Sequence, residues 1–84
     1  MNKLEIFKKR LLYRSNYRGT KELDILLSTF VKKYIDNMTK EQLADLSSFL
    51  EFEDTEIYDF YYNNVNNDKI NKNKISQLFK NFKI

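Results

Sequence analysis

Apolar residues recur every three or four positions along most of the chain, which is the spacing of an amphipathic helix. The clearest stripe lies within residues 20–36 and predicts a helix over roughly that range. Its members are Leu23, Leu26, Leu27, Phe30 and Tyr34.

Four shorter stripes of the same spacing predict four further helices, and no segment shows the sustained alternation of a strand. The chain is therefore predicted to be a single domain over residues 1–84, an all-α compact bundle of about five short helices. In chain order the shorter stripes are Leu4, Phe7 and Leu11 within residues 3–15; Leu43, Leu46, Phe49 and Leu50; Ile57, Phe60 and Tyr61; and Ile75, Leu78, Phe79 and Phe82 within residues 70–82.

Polar residues at the ends of the stripes predict where helices begin. The run from Thr39 to Gln42 has the form of a capping box, in which the Thr hydroxyl accepts from the third helical N–H and the Gln side chain returns the bond. Asp54 is placed to cap the fourth helix. The polar stretch from Asn63 to Asp68 predicts the longest loop.

The composition removes several classes of chemistry. The chain has 84 residues with no Cys and no His, so it lacks a thiolate nucleophile and the commonest general base and metal ligand. With one glycine it has no Gly-rich loop for phosphate groups. Paired carboxylates such as Glu51 and Glu53 lie in a stretch rich in acidic residues, where a solvated face explains them. We therefore predict that the protein is not an enzyme and has no catalytic or metal-ligating residue.

The net charge of +3 conceals a basic start, an acidic middle and a basic tail. Residues 1–18 hold six Lys or Arg against one Glu, whereas residues 37–63 hold seven Asp or Glu against one Lys. This pattern suggests opposite patches on one small body, whereas for any single charge a solvated helix face is the simpler explanation. The alternative is a small basic helical nucleic-acid binder, with phosphate contacts from both basic ends. The acidic middle and the lack of a helix-turn-helix or RNA-binding signature argue against that alternative.

The first segment, LEIFKKRLLYRS, is amphipathic and poor in acidic residues. Those features also suit a mitochondrial transit peptide, or a helix lying on a membrane surface at residues 3–14. The segment continues without a linker into the glycine turn, and its apolar face suits the bundle core, so we expect it to belong to the fold. No apolar run approaches the ~20 residues needed to span a bilayer, and we expect no membrane span.

Gly19 is the only glycine in a chain without proline, and it lies between the first two stripes in RSNYRGTKELD. One interpretation is local: a glycine just past a helix end takes the left-handed conformation, which a Cβ disfavours by ~1 kcal/mol or more, and Thr20 caps the next helix. The other is a docking surface, because glycine permits close approach and Arg offers a planar fork of donors. Glu22 lies off the apolar stripe and is expected to be exposed. The docking surface would comprise Arg14, Arg18, Gly19, Thr20, Lys21, Glu22 and Asp24.

RSNYRGTKELD, with RGTKE at its core, is similar to the signature of the succinate dehydrogenase assembly factors, small flavinylation-promoting proteins of bacteria and mitochondria. LLYRS before it, LLSTF after it and the segment MTKEQLADLSSFLEFEDTEIYDFYYN also resemble the family pattern. The resemblance covers roughly residues 4–63, and the tail that follows carries little of it. Two positions depart from the pattern, because Tyr17 stands where many members have Arg, and Phe60 where many have Trp.

The resemblance implies a compact five-helix bundle that binds the flavoprotein subunit of succinate dehydrogenase and promotes covalent attachment of FAD to a His of that subunit. The reactive His and the flavin would belong to the partner, so this chain would bind no cofactor itself. Arg18 and Glu22 would contact the flavoprotein, with Gly19 permitting close approach. Fumarate reductase stays open as a further flavoprotein partner. We also expect a monomer that binds no nucleic acid and acts in the cytoplasm of a bacterium, or in the mitochondrial matrix of a eukaryote.

Overall fold

The computed structural model describes residues 2–84, in which helices follow one another and no strand occurs. The predicted all-α class is confirmed, although the described chain has six α-helices instead of about five. A short 3-10 helix, Ile35–Asn37, continues the second of them. The α-helices are α1 (Lys3–Arg14), α2 (Lys21–Tyr34), α3 (Lys40–Phe49), α4 (Asp54–Tyr62), α5 (Asp68–Lys72) and α6 (Ser76–Asn81).

Side-chain caps start two of the longer helices where the sequence predicted them. The Thr20 hydroxyl accepts from the N–H of Leu23 at 3.2 Å, at the start of α2. The capping box of α3 is confirmed, since the Thr39 hydroxyl accepts from the N–H of Gln42 at 3.2 Å and the Thr39 N–H donates to the Gln42 side chain at 2.9 Å. These bonds satisfy donors that the helix itself leaves unpaired.

The predicted cap of α4 is wrong. Glu53 is the N-cap residue, and its N–H donates to Glu56 Oε2 at 3.1 Å. Asp54 is the first residue inside the helix. Its carboxylate is therefore available for a contact outside α4.

The core is built around α2, which buries five of its apolar side chains, and around aromatic rings from later helices. Phe79 of α6 lies in the middle of these rings, with its centroid 5.2 Å from that of Phe30 and 5.0 Å from that of Phe49. Leu4 and Leu78, which the stripes assigned to the core, are exposed instead. The apolar α2 residues are Leu23, Leu26, Leu27, Phe30 and Val31.

The helix predicted over residues 70–82 is broken into α5 and α6. Asn73 adopts an extended backbone and its side-chain amide donates to the carbonyl of Asp45 in α3 at 2.8 Å. The same side chain accepts from the N–H of Ile75 at 2.9 Å. Asn side chains compete in this way with the helical bonds of the backbone. The break therefore follows from a contact with another helix.

The two connections beside α2 and α4 differ slightly from expectation. The polar segment 63–67 is a loop, as predicted, but the prediction that it is the longest loop is wrong, because the turn over residues 15–20 is one residue longer. Residues 3–14 form α1, whose Leu11 is fully buried in the core, so this segment belongs to the fold. Within residues 2–84 no helix combines the length and the hydropathy that crossing a bilayer requires.

Candidate docking site at the turn between the first two helices

The turn between α1 and α2 ends the first helix without using glycine. The N–H of Ser15 donates to the carbonyls of Leu11 and Leu12, at 3.0 and 3.2 Å. The Ser15 hydroxyl and the Asn16 amide both donate to the carbonyl of Leu12, at 2.6 and 2.8 Å. The last carbonyls of α1 are thereby satisfied by backbone N–H groups of the turn and by two polar side chains that the sequence analysis had not assigned to this task.

The left-handed residue of the turn is Tyr17, with φ of 60°, and Gly19 has no positive φ. The prediction of a left-handed C-cap glycine is therefore wrong. The N–H of Tyr17 donates to Asp24 Oδ1 at 3.1 Å, which ties the turn to the first turn of α2. An aromatic residue seldom adopts this conformation unless its surroundings impose it.

Gly19 is required for a different reason, the close approach of Asp54. The N–H of Gly19 donates to Asp54 Oδ2, and a Cβ at position 19 would lie 2.8 Å from that oxygen. Real Cβ atoms do not approach other atoms so closely, so any other residue would displace the carboxylate. The glycine thus permits a contact inside the protein.

Arg18 joins three parts of the chain and, with Gly19 and Asp54, forms what we call the Arg18–Asp54 clamp. Its Nε lies 2.8 Å from Asp54 Oδ1, and its side chain is 12% exposed against 34% for Asp54. The guanidinium also donates to the carbonyls of Arg14, Leu50 and Phe52, at 3.0, 3.3 and 3.3 Å. The planar fork of Arg suits several acceptors at once, and here it holds the end of α1 and the α3–α4 connection together.

Arg14 is also engaged within the bundle. Its Nη1 donates to the Ser47 hydroxyl at 2.9 Å and its Nη2 donates to the Ser47 carbonyl at 2.8 Å. Both contacts attach the end of α1 to α3. Arg14 and Arg18 therefore both bind groups of the bundle itself.

Lys21 and Glu22 are the exposed charges of the predicted set, and the exposure expected for Glu22 is confirmed. Both lie in the first turn of α2, directly after the clamp. Glu22 Oε2 accepts from the Tyr58 hydroxyl at 3.4 Å, and the charge of Glu22 raises the pKa of the Tyr58 phenol. The clamp thus fixes the backbone from which these two side chains project into solvent.

The structure brings the seven predicted site residues into one region but gives them different tasks. Five are engaged by hydrogen bonds that hold the turn or the start of α2, whereas Lys21 and Glu22 are exposed and Glu22 has only the long bond from the Tyr58 hydroxyl, at 3.4 Å. Sequence reasoning missed Asp54 as a member of the site. Its local signal was that of a helix cap, and nothing near it in sequence points to Arg18. The engaged residues are Arg14, Arg18, Gly19, Thr20 and Asp24.

Two open depressions flank the contact between Gly19 and Asp54. One, of about 570 Å³, is lined on one side by Tyr13 and Tyr17 and on the other by Phe52. The second, of about 350 Å³, lies between the start of α2 and the exposed side of α4. Within residues 2–84 no group of three or more His, Cys, Asp or Glu side chains is arranged to hold a metal ion. The geometry is that of a small helical interaction module.

Comparison of the sequence with known proteins identifies the family of this chain. The sequence model of the family described as "flavinator of succinate dehydrogenase" matches residues 9–83, and the chain belongs to that family. The match includes the tail after Asn63, where the quoted motifs showed little resemblance. The resemblance to the succinate dehydrogenase assembly factors is thereby confirmed.

Individual relatives come from bacteria and from mitochondria. The FAD assembly factor SdhE of Acetobacter pasteurianus is 44% identical over 55 residues, which are 66% of this chain and 50% of that protein. The mitochondrial succinate dehydrogenase assembly factor 2-B of Drosophila ananassae is 46% identical over 65 residues, 77% of this chain and 32% of that protein. The corresponding factor 2 of Aspergillus flavus is 51% identical over 49 residues, 58% of this chain and 17% of that protein. The chain thus spans half or less of the length of these relatives.

Proposed function

We propose that this chain is an assembly factor that binds the flavoprotein subunit of succinate dehydrogenase and promotes covalent attachment of FAD to it. The observation that carries the proposal is the family match over residues 9–83. The names of the bacterial and mitochondrial relatives, an FAD assembly factor and succinate dehydrogenase assembly factors, support the same function.

The geometry of the turn supports a docking role for Lys21 and Glu22. Both side chains are exposed, and the backbone beneath them is held by the clamp on one side and by the Thr20 cap on the other. A surface whose backbone is already ordered loses less conformational entropy on binding. The clamp would therefore act as a positioning device, with the partner meeting the first turn of α2.

The proposed mechanism is selection of one conformation of the partner. A protein that binds one state more tightly raises the population of that state. The selected state would hold the reactive His of the flavoprotein near the flavin, where proximity and orientation accelerate attachment. The flavin belongs to the partner, and the assembly factor contributes binding and no catalytic group.

A separate measurement tests the proposal that the chain itself binds no FAD. Titration of free FAD into the purified chain by calorimetry is expected to give no saturable heat, because the sequence has no nucleotide-binding loop. Micromolar binding of free FAD would contradict it.

The decisive experiment measures covalent flavin in cells that lack the endogenous factor. The chain, expressed there with the flavoprotein subunit, is expected to restore in-gel flavin fluorescence of the denatured subunit, which reports covalently held flavin. Glu22→Ala should lower this fluorescence severalfold. It should change the free energy of unfolding by less than about 0.5 kcal/mol, because the side chain is exposed.

The chain offers a matched control in Glu41. Glu22 and Glu41 are both exposed, and each is the second residue of a helix capped by Thr. Glu41→Ala should therefore restore fluorescence as the unmodified chain does. No fluorescence with the unmodified chain would reject the proposed function, whereas equal fluorescence with both variants would reject only the role of Glu22.

The proposal extends to the form and place of action. We expect the chain to act as a monomer where the flavoprotein is folded, in the cytoplasm of a bacterium or in the mitochondrial matrix. A single species of about 10.2 kDa by light scattering would support the expectation of a monomer.

A further inference from the structure

We infer that an exposed ridge along α1 extends the docking site and binds an acidic segment of the flavoprotein; the inference rests on the proposed function. The ridge consists of Ile6, Arg10, Tyr13 and Tyr17. The first three lie four and then three positions apart on α1, so they share one side of that helix. Tyr17 continues the row into the turn that carries the clamp.

The ridge exposes large apolar groups that the fold does not use. Ile6 is 41% exposed, Tyr13 is 70% exposed and Tyr17 is 80% exposed. The rings of Tyr13 and Tyr17 lie against each other, with centroids 5.6 Å apart. Single exposed apolar residues are ordinary, but a continuous row beside a candidate site is typical of an interaction surface. Tyr is also among the residues that contribute most at interfaces.

The orientation of Tyr17 is imposed by the fold. Its left-handed backbone is held by the bond from its N–H to Asp24 Oδ1, and in this conformation its ring is exposed. A strained residue at a surface points to a function for the group that it presents.

The charges beside the ridge indicate the chemistry of its partner. A largely apolar depression between Ile6 and Tyr13 is edged by Lys9, Arg10 and Arg14. The only ion pair formed by residues 2–84 is that of Arg18 with Asp54, so Lys9 and Arg10 have no carboxylate within 4 Å. Such a surface is complementary to a segment that places apolar side chains between Asp or Glu residues.

The ridge is continuous with the proposed docking site. Tyr13 and Tyr17 line the same depression as Arg18 and Asp54. A partner that contacts the clamp would therefore lie beside the ridge.

The test measures the affinity of the chain for the purified, flavin-free flavoprotein subunit of succinate dehydrogenase. The aromatic variant combines Tyr13→Ala with Tyr17→Asn, since Ala suits a helix and Asn tolerates the left-handed conformation. It should weaken binding about tenfold or more. Tyr13→Phe with Tyr17→Phe keeps both rings and should bind as the unmodified chain does. Tyr62→Ala removes an exposed tyrosine outside the ridge and is the matched control.

The charge variant combines Lys9→Glu with Arg10→Glu. It should weaken binding at low salt and reduce the salt dependence of the affinity. Lys72→Glu with Lys74→Glu makes the same change in net charge at exposed tail positions and should have a much smaller effect. Circular dichroism of each variant checks that the helices are retained.

The outcomes separate the ridge from the proposed function. If the unmodified chain binds the flavoprotein and the aromatic variant binds equally well, the ridge is rejected and the proposed function stands. If the unmodified chain does not bind, both are rejected. A single-stranded oligonucleotide of deoxythymidine is the second probe, and tyrosine-dependent binding of it at physiological salt, without such dependence for the flavoprotein, would also overturn the inference.

Discussion

The two ends of α4 are attached to the bundle by different combinations of contacts, which are polar alone at its start and both polar and aromatic at its end. At its start, the Asp54 carboxylate meets a guanidinium and a glycine N–H. At its end, Lys80 of α6 donates to the carbonyls of Phe60 and Tyr61 at 2.6 and 3.2 Å, beside packed aromatic rings. We call the rings of Phe30, Phe49, Tyr61, Phe79 and Phe82 the aromatic cluster.

The two kinds of contact have different consequences, since one mainly stabilises the fold and the other mainly fixes where particular groups lie. Burial of rings contributes free energy in proportion to area and imposes little direction. Hydrogen bonds and ion pairs contribute less per contact but act only at defined distances and angles. The exposed charges of the candidate site lie beside the directional contacts, so we expect the aromatic cluster to govern unfolding and the clamp to govern recognition.

Phe79→Ala tests the aromatic cluster and should have the largest effect. The ring is fully buried and contacts Phe30, Phe49 and Tyr61, at centroid distances of 5.2, 5.0 and 5.0 Å. Loss of such a ring costs about 3–5 kcal/mol, a large share of the ~5–15 kcal/mol of a typical domain. Urea unfolding measures the loss, and Leu78→Ala in the same helix, where the side chain is exposed, should change stability little. Equal losses in the two variants would place the core elsewhere.

Asp54→Ala tests the clamp and should have an intermediate effect. It leaves the Arg18 side chain, which is 12% exposed, without its carboxylate, and we expect a loss of about 1–3 kcal/mol. The partial exposure of Asp54 keeps the loss below that of a fully buried pair. Asp68→Ala is the control, since Asp68 is also the first residue of a helix but forms no ion pair within residues 2–84.

The same comparison predicts the effects of the two variants on binding. Asp54→Ala should lower the affinity for the flavoprotein more than Phe79→Ala does, whereas Phe79→Ala should lower the free energy of unfolding more. Affinity is measured at a temperature where both variants remain folded. A variant of Phe79 that stayed folded yet lost affinity more than the Asp54 variant would reject the division of roles.

Gly19→Ala should have the smallest effect on stability. It tests whether glycine is needed at position 19 because of the Asp54 carboxylate or because of the backbone conformation. The new Cβ would lie 2.8 Å from Asp54 Oδ2, and displacement of the carboxylate should cost about 1 kcal/mol. In the Asp54→Ala background that oxygen is gone, so the same change should cost nothing or stabilise slightly by restricting the unfolded chain. An equal cost in both backgrounds would show that the backbone conformation of position 19, and not the carboxylate, requires glycine.

Much of the fold was predictable because its signals are local. The apolar stripe of α2 predicted a helix that buries Leu23 and Phe30, and the Thr39 capping box follows from residues three positions apart. Leu4 lies in the first turn of α1 and Leu78 lies in the six-residue α6. Periodicity shows which residues share a face of a helix, but it cannot show how far along that face a neighbouring helix covers it.

The sequence was sufficient to locate the candidate site, but it did not show which residues of the site contact one another. RSNYRGTKELD identified the turn and its seven residues from a motif, and that assignment as a binding surface stays a prediction. The role of Gly19 was misjudged, because a glycine after a helix most often serves the backbone. The partner that makes it necessary, Asp54, lies in another helix and carries no local mark of the contact.

The sequence by itself determined the helical class, the caps of α2 and α3, and the resemblance of the turn to a family, because periodicity, capping and motifs are properties of neighbouring residues. Only the tertiary structure decided that Arg18 faces inward, that Tyr17 takes the left-handed conformation and that Asn73 divides the last helix. Each of these depends on an oxygen or a carboxylate supplied from elsewhere in the fold or across a turn. The free energy of such a contact exists only once packing has brought the two groups within hydrogen-bond distance.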